Sequence, residues 1–308
     1  MYNTNNIDTI RGTNILVTGA CGNIGSHLTS HLIDNDCKVT ILLRPNSNTK
    51  RIDHLLHKVN TISSIDEIAE LEIDTTFHLA WYGTISSQYN SVQQISINIP
   101  NTAEICDAVG KIGCKNWIGI GSQAEYGCLD TIITETTSCT PKTMYGLAKH
   151  HSRSITEHIC YIYNMRHTWL RIFSTYGPND NDYLLIPTAI KRFLSGETMQ
   201  LTPGEQVVDY LYIDDAVDAI YAAASVPSGG IFNIASGNQI TVKSIVNTIR
   251  DMIDSTIEVE WGVIPYSPDK PMFMAASISK LTEATNWKPK TDINSGLTKT
   301  IEWYRKNT

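Results

Sequence analysis

Apolar and polar positions along this chain follow two alternating periods, and the first change of period comes early. Ile15, Leu16 and Val17 form an unbroken apolar run that predicts a buried strand over residues 14–18. From Ile24 onward apolar residues recur at Leu28, Leu32 and Ile33, which places them on one face of a helix over 24–35. A second strand follows over 38–43. The same reading gives further strands at 76–80, 117–120, 167–172, 209–213 and 231–234, and helices at 145–163, 187–194, 215–224, 242–252 and 292–304. Ser64-Ile65-Asp66-Glu67 has the pattern of a capping box and predicts the start of a short helix. Residues 88–110 read as mostly helical with a bend at Pro100, and 174–178 as the terminal turn of the strand before them.

Between the first strand and the first helix lie Gly19, Gly22 and Gly25. Gly19 allows a sharp turn, Gly22 lets backbone approach a pyrophosphate without a side chain in between, and Gly25 lets the helix pack close to the strand. The first amides of that helix, at Asn23 and Ile24, then face the anion. Strand, glycine turn, helix and strand in this order predict a dinucleotide site in a βαβ unit.

The second strand ends at Arg44, about 20 residues past the turn, where an NAD site would carry an acid on the ribose 2′-hydroxyl. A guanidinium there pairs with a 2′-phosphate, so the expected cofactor is NADPH. Leu79, Ala80 and Trp81 close the strand at 76–80, on the edge where ligands sit in such sheets. Ser122 ends the strand at 117–120, and Tyr145 and Lys149 share a helix face 23 residues further on. Tyr266 and Lys270 repeat that spacing, but Pro265, Pro268 and Pro271 forbid a regular helix around them. A lysine ammonium beside Tyr145 would favour phenolate and lower the phenol's pKa.

The order of these parts, with His78-Leu79-Ala80, Ser122, Tyr145 and Lys149 following the glycine turn, resembles the extended short-chain dehydrogenase/reductase family from Asn14 to about Tyr304. Residues 204–210, 212–215, 265–272 and 286–289 look like its nucleotide-sugar branch. The resemblance implies a doubly wound parallel α/β sheet with a small C-terminal substrate lobe. Residues 1–12 would be a polar lead-in, 13–175 the dinucleotide-binding domain, and 176–308 mainly the lobe, with some segments returning to the first domain. It implies Tyr145 as acid or base, Lys149 on the cofactor ribose and Ser122 on the reacting oxygen. Substrate contacts would fall to Trp81 and Gln123. Many members have an arginine where Val208 stands, so Arg192 or Lys270 is expected to meet the diphosphate.

The implied activity is reduction by NADPH of a dTDP- or CDP-linked 4-keto-6-deoxyhexose for surface polysaccharide. The alternatives are a 4-epimerase using NAD, a 4,6-dehydratase, and a silent cofactor sensor. The dehydratase needs an Asp-Glu pair where Gln123 and Ala124 stand. Family resemblance also implies a homodimer through the helices near 88–110 and 145–163.

Composition narrows the partners. A net charge of −7 over 308 residues, without a basic cluster, argues against nucleic acid or an anionic membrane. Seven cysteines, odd in number and never in a Cys-x-x-Cys arrangement, point to a reduced, cytoplasmic protein, and no run is long enough for a membrane span. His27 with His31, and His54 with His57, lack a third ligand in any recognisable pattern, so no metal is expected.

Overall fold

The computed structural model describes residues 10–267 and 271–307. Strands β1 (Asn14–Thr18), β2 (Lys38–Leu42), β3 (Asn60–Ile62), β4 (Thr75–His78), β5 (Asn116–Ser122) and β6 (Arg166–Ile172) join the strand Gly230–Ile234 in one sheet. Their order is β3-β2-β1-β4-β5-β6 followed by Gly230–Ile234, and every pairing is parallel. A parallel sheet must be covered on both faces. β1 meets this with alternate residues: Ile15 and Val17 enter one apolar cluster and Leu16 another.

Helix α1 (Asn23–Asp34) and the helix Ile213–Ala224 supply the first cluster through Leu28, Leu32, Val217 and Ile220. α2 (Gln93–Ser96) leads into α3 (Asn98–Lys111), which packs with α4 (Met144–Ile162) over the other face through Ile105, Val109 and Cys160. The helical segment breaks at Ile97, because Pro100 has no N–H to offer the Ser96 carbonyl. The chain runs outward from β1 to β3 and then crosses to β4, so a crevice opens beyond the carboxyl ends of β1 and β4. This is the doubly wound fold.

A third apolar cluster joins the helices Leu185–Leu194, Val242–Ile253 and Ile293–Asn307 through Ile190, Phe193, Ile249, Leu297 and Ile301. Meanwhile Gly230–Ile234 and Ile213–Ala224 return to the main sheet. Residues 174–178 are not simply a turn: Ser174–Tyr176 is a strand paired in parallel with Tyr210–Tyr212. Ser174–Tyr176, β3 and the strands Met199–Leu201, Val207–Val208, Ile240–Thr241, Val259–Trp261 and Phe273–Met274 escape sequence reading because two or three residues carry no measurable period, whereas Tyr210–Tyr212 falls within the strand expected at 209–213. Among the described residues no helix is long and apolar enough to cross a membrane.

Candidate active site

Gly19 follows β1 with φ +77°, a conformation side chains disfavour, and a Cβ there would lie 2.6 Å from the Ala80 nitrogen. The turn therefore touches the end of β4 backbone to backbone. Gly25 presses on the Gly19 carbonyl, so the close packing foreseen for it is of helix against turn, not against strand. Gly22 precedes α1, and its amide donates to the Gly19 carbonyl at 3.0 Å. The first turn of α1 has no acidic residue, and the Asn23 Oδ1 is buried without a hydrogen-bond partner among the described residues. A helix N-terminus and a bare backbone suit a diphosphate, and that acceptor suits a ligand hydroxyl.

Two clefts meet at this turn. The larger, about 990 Å³, is lined by Gly19, Gly22, Leu79, Ala80 and Trp81 on one side and by Arg44, Ser47, Lys50 and Arg51 on the other. The Arg44 carbonyl accepts from Ser47 Oγ at 2.8 Å, which turns the loop and leaves the Arg44 side chain exposed at the cleft. Arg51 is engaged elsewhere: its Nε donates to the Asn179 carbonyl at 2.9 Å and its Nη2 to Asn181 Oδ1 at 3.1 Å. Asp180, beside them, is pushed up to about 6 by burial, against hydrogen bonds that include one from Asn23.

The smaller cleft, about 620 Å³, brings together Asn23, Ile24, Trp81, Ser122, Gln123, Tyr145 and Lys149. Thr143 caps α4 by accepting from Gly146 N at 3.1 Å, which sets Tyr145 and Lys149 on the turn facing β5. Gly146 abuts the Ala124 carbonyl, so the helix start lies directly on the turn that follows Ser122. Ser122 Oγ accepts from Ala124 N at 3.2 Å and hydrogen-bonds the Tyr145 phenol. Burial and the neighbouring Tyr89 raise the phenol's pKa, and the Ser122 hydrogen bond opposes them. Tyr89 stacks on the Tyr145 ring at 4.7 Å between centroids.

One expectation is corrected here. Lys149 does not lower the Tyr145 pKa, because burial leaves it uncharged over the range in which a phenol ionises; its Nζ, 6.0 Å from the Tyr145 ring centroid, donates to the Ile120 carbonyl at 2.7 Å and lies 3.7 Å from the Trp81 ring centroid. Burial pulls Lys149 itself down to about 7, with Glu125 acting in the opposite sense.

Glu125 is a functional neighbour that motif reading missed. Its Oε1 accepts from Ser122 N at 3.0 Å and Trp169 Nε1 at 2.9 Å, and its Oε2 from Arg171 Nε at 2.9 Å. The signal was present: Ser122-Gln-Ala-Glu125 is a capping box, as at Ser64. Tyr89 left no comparable signal. Arg192 is also corrected, since it lines neither cleft and its Nη1 donates to the Thr198 carbonyl at 3.0 Å at the end of its helix. Lys191 lines the larger cleft instead, paired with Asp182 at 2.7 Å. Lys270 lies outside the described residues. His27 and His31 face Asp214 and Asp218 at 3.8 and 3.5 Å, lacing α1 to the helix Ile213–Ala224.

The sheet order, the glycine turn at its crevice and the Ser-Tyr-Lys group together define a dinucleotide-binding protein of short-chain dehydrogenase/reductase type. More particularly, a family profile described as the NAD dependent epimerase/dehydratase family matches residues 15–235, and the chain belongs to that family. UDP-glucuronic acid decarboxylase 5 of Arabidopsis thaliana is 26% identical over 92% of this chain and 86% of its own length. The dTDP-glucose 4,6-dehydratase of Escherichia coli is 25% identical over 96% and 93%. Among solved structures, a UDP-glucose 4-epimerase from Thermotoga maritima with UDP-glucose matches with a TM-score of 0.86 and 26% identity over 96% of this chain and 99% of that one. A UDP-N-acetylglucosamine 4-epimerase from Methanobrevibacter ruminantium gives 0.88 and 25% over the same shares.

Proposed function

We propose that this chain uses NADPH to reduce the C4 keto group of a dTDP- or CDP-linked 4-keto-6-deoxyhexose. The nucleotide-sugar class draws support from the relatives, whose names carry UDP-glucuronic acid, dTDP-glucose and UDP-glucose. The reduction reading is supported by one observation: the Tyr145 phenol, beside Ser122 and protonated, lines the cleft as a proton donor.

Gly19, Gly22, Asn23, Ile24 and Gly25 would hold the cofactor diphosphate, Leu79 and Ala80 its path across the crevice, and Arg44 the 2′-phosphate. Tyr145 and Lys149 would hold its ribose. When bound, the nicotinamide supplies the hydride. Ser122 orients the C4 oxygen, and the Tyr145 hydroxyl gives that oxygen its proton. Trp81 and Gln123, which line the cleft, would flank the sugar. A homodimer through α3 and α4 belongs to the same proposal.

Elimination of water is disfavoured by the same geometry. Gln123 and Ala124 offer no carboxyl, and both oxygens of Glu125 are committed to Ser122, Trp169 and Arg171. A 4-epimerase is the second reading, favoured by the solved epimerase structures of similar fold. It must first oxidise the sugar, which needs phenolate rather than phenol at Tyr145. The deciding experiment supplies NADPH with dTDP- and CDP-linked 4-keto-6-deoxyhexoses and follows absorbance at 340 nm. Stoichiometric loss is expected. If both ketosugars leave NADPH untouched while a 4-hydroxy sugar nucleotide is epimerised, the second reading replaces the first.

A further inference from the structure

Trp81 stands where the loop after β4 enters the smaller cleft, and both ends of its indole are fixed. At the outer edge its Nε1 donates to Gln94 Oε1 at 2.8 Å. Gln94 is fully buried, and its Nε2 donates to the Gly83 carbonyl at 2.6 Å and the Gln88 carbonyl at 3.2 Å. Asn98 donates to Gln94 Oε1 at 3.1 Å and brackets the Tyr82 backbone, accepting from its N at 2.7 Å and donating to its O at 3.0 Å. A satisfied buried network of this kind gives the indole one orientation. On the inner side the ring meets Tyr145 edge-on, with centroids 6.1 Å apart at 86°, and receives the Lys149 ammonium on its face at 3.7 Å.

We infer that Trp81 is a positioning residue for Lys149: its indole face, locked by Gln94, holds the ammonium against the Ile120 carbonyl and fixes where it sits relative to the Tyr145 hydroxyl. The other groups facing Lys149 do not explain that placement. Glu125 attracts the ammonium from the turn after β5, but its oxygens are held by Ser122, Trp169 and Arg171. His78 on β4 is a buried imidazole bonded to Thr18 and Thr102. Tyr145, on the same helix, has its ring centroid 6.0 Å from Nζ. Among the described residues that leaves one carbonyl and one aromatic face as the partners of a lysine only 4% exposed. A quadrupole face stabilises the charged form against burial, so removing it drives the proton off at lower pH.

The test compares Trp81→Leu and Trp81→Phe with the unaltered chain. Trace acetylation of Lys149 across pH, read by peptide mass spectrometry, reports its midpoint with no turnover needed. Trp81→Leu is expected to lower that midpoint by about one pH unit, and Trp81→Phe, which keeps a face but loses the bond to Gln94, by less. Gln94→Met, which frees the indole without removing it, should lower the midpoint by less than Trp81→Leu does and serves if Trp81→Leu does not fold. The effect on turnover rests on the role proposed above for Tyr145 and Lys149: the alkaline limb of the kcat–pH profile should move down in Trp81→Leu and return in part in Trp81→Phe. An unmoved Lys149 midpoint in Trp81→Leu and Gln94→Met, or equal shifts in the Leu and Phe variants, overturns the inference even if ketosugar is reduced. A shifted midpoint in a chain that reduces no ketosugar upholds it and removes the proposed function instead.

Discussion

Glu125 and Arg171 form an ion pair at 2.9 Å with side chains 0% and 3% exposed, directly behind Ser122. Glu125→Gln leaves the guanidinium buried and uncompensated and loosens the Ser122 amide. The expected loss is ~3–5 kcal/mol of stability, since breaking a buried pair strands the remaining charge. Urea unfolding measures it. Glu125→Leu with Arg171→Met should be less destabilised than the sum of the single changes, and strict additivity would show that the pair is not coupled.

Tyr145→Phe removes the hydroxyl that Ser122 engages while keeping the ring that stacks on Tyr89. Turnover should fall by ~10²-fold or more with ligand binding nearly unchanged, because the group acts in the transition state. Lys149→Met should lose cofactor affinity as well. Steady-state kinetics beside calorimetric binding separates the two, and unchanged turnover in Tyr145→Phe would point to a protein that binds without reacting.

Arg44 stands exposed on the larger cleft, free to pair with a 2′-phosphate. NADPH should bind at least ~10-fold tighter than NADH, and Arg44→Ala should remove most of that preference, about 1.4 kcal/mol. Equal affinities of the unaltered chain for the two cofactors in calorimetry would count against the assignment.

His78 is buried between Thr18 Oγ1 at 2.9 Å and Thr102 Oγ1 at 3.0 Å and stacks on Trp117. Burial, with help from the Lys149 charge, pulls its pKa down to about 3. An unfolded imidazole takes its proton near ~6.5, so between that pH and about 3 the unfolded chain holds the extra proton. Stability conferred by neutral His78 is complete above ~6.5 and is lost as pH falls, at up to ~1.4 kcal/mol per unit. Folding free energies of the unaltered chain and His78→Gln at pH 4 to 7 should diverge in slope by one proton, and parallel slopes would remove His78 from the acid response.

The glycine turn, the helix after it and the capping box at Ser64 were legible because each is set by residues a few positions apart. For the same reason Ser122, Tyr145 and Lys149 could be picked out by their order along the chain. The lysine's partner could not be. Spacing puts Lys149 on the face of Tyr145, but its direction is decided by the Ile120 carbonyl, 29 residues back, and by Trp81 from another strand end.

The sequence by itself determined the longer strands and helices, since propensity and period act over a single turn or strand, and it marked Ser122, Tyr145 and Lys149 by their order. Tertiary structure alone decided that β1 lies between β2 and β4, that Glu125 meets Arg171 across 46 residues, and that Arg192 donates to the Thr198 carbonyl. These pairings follow from how layers pack and which buried polar groups need partners, and packing joins residues with no regard for their distance along the chain.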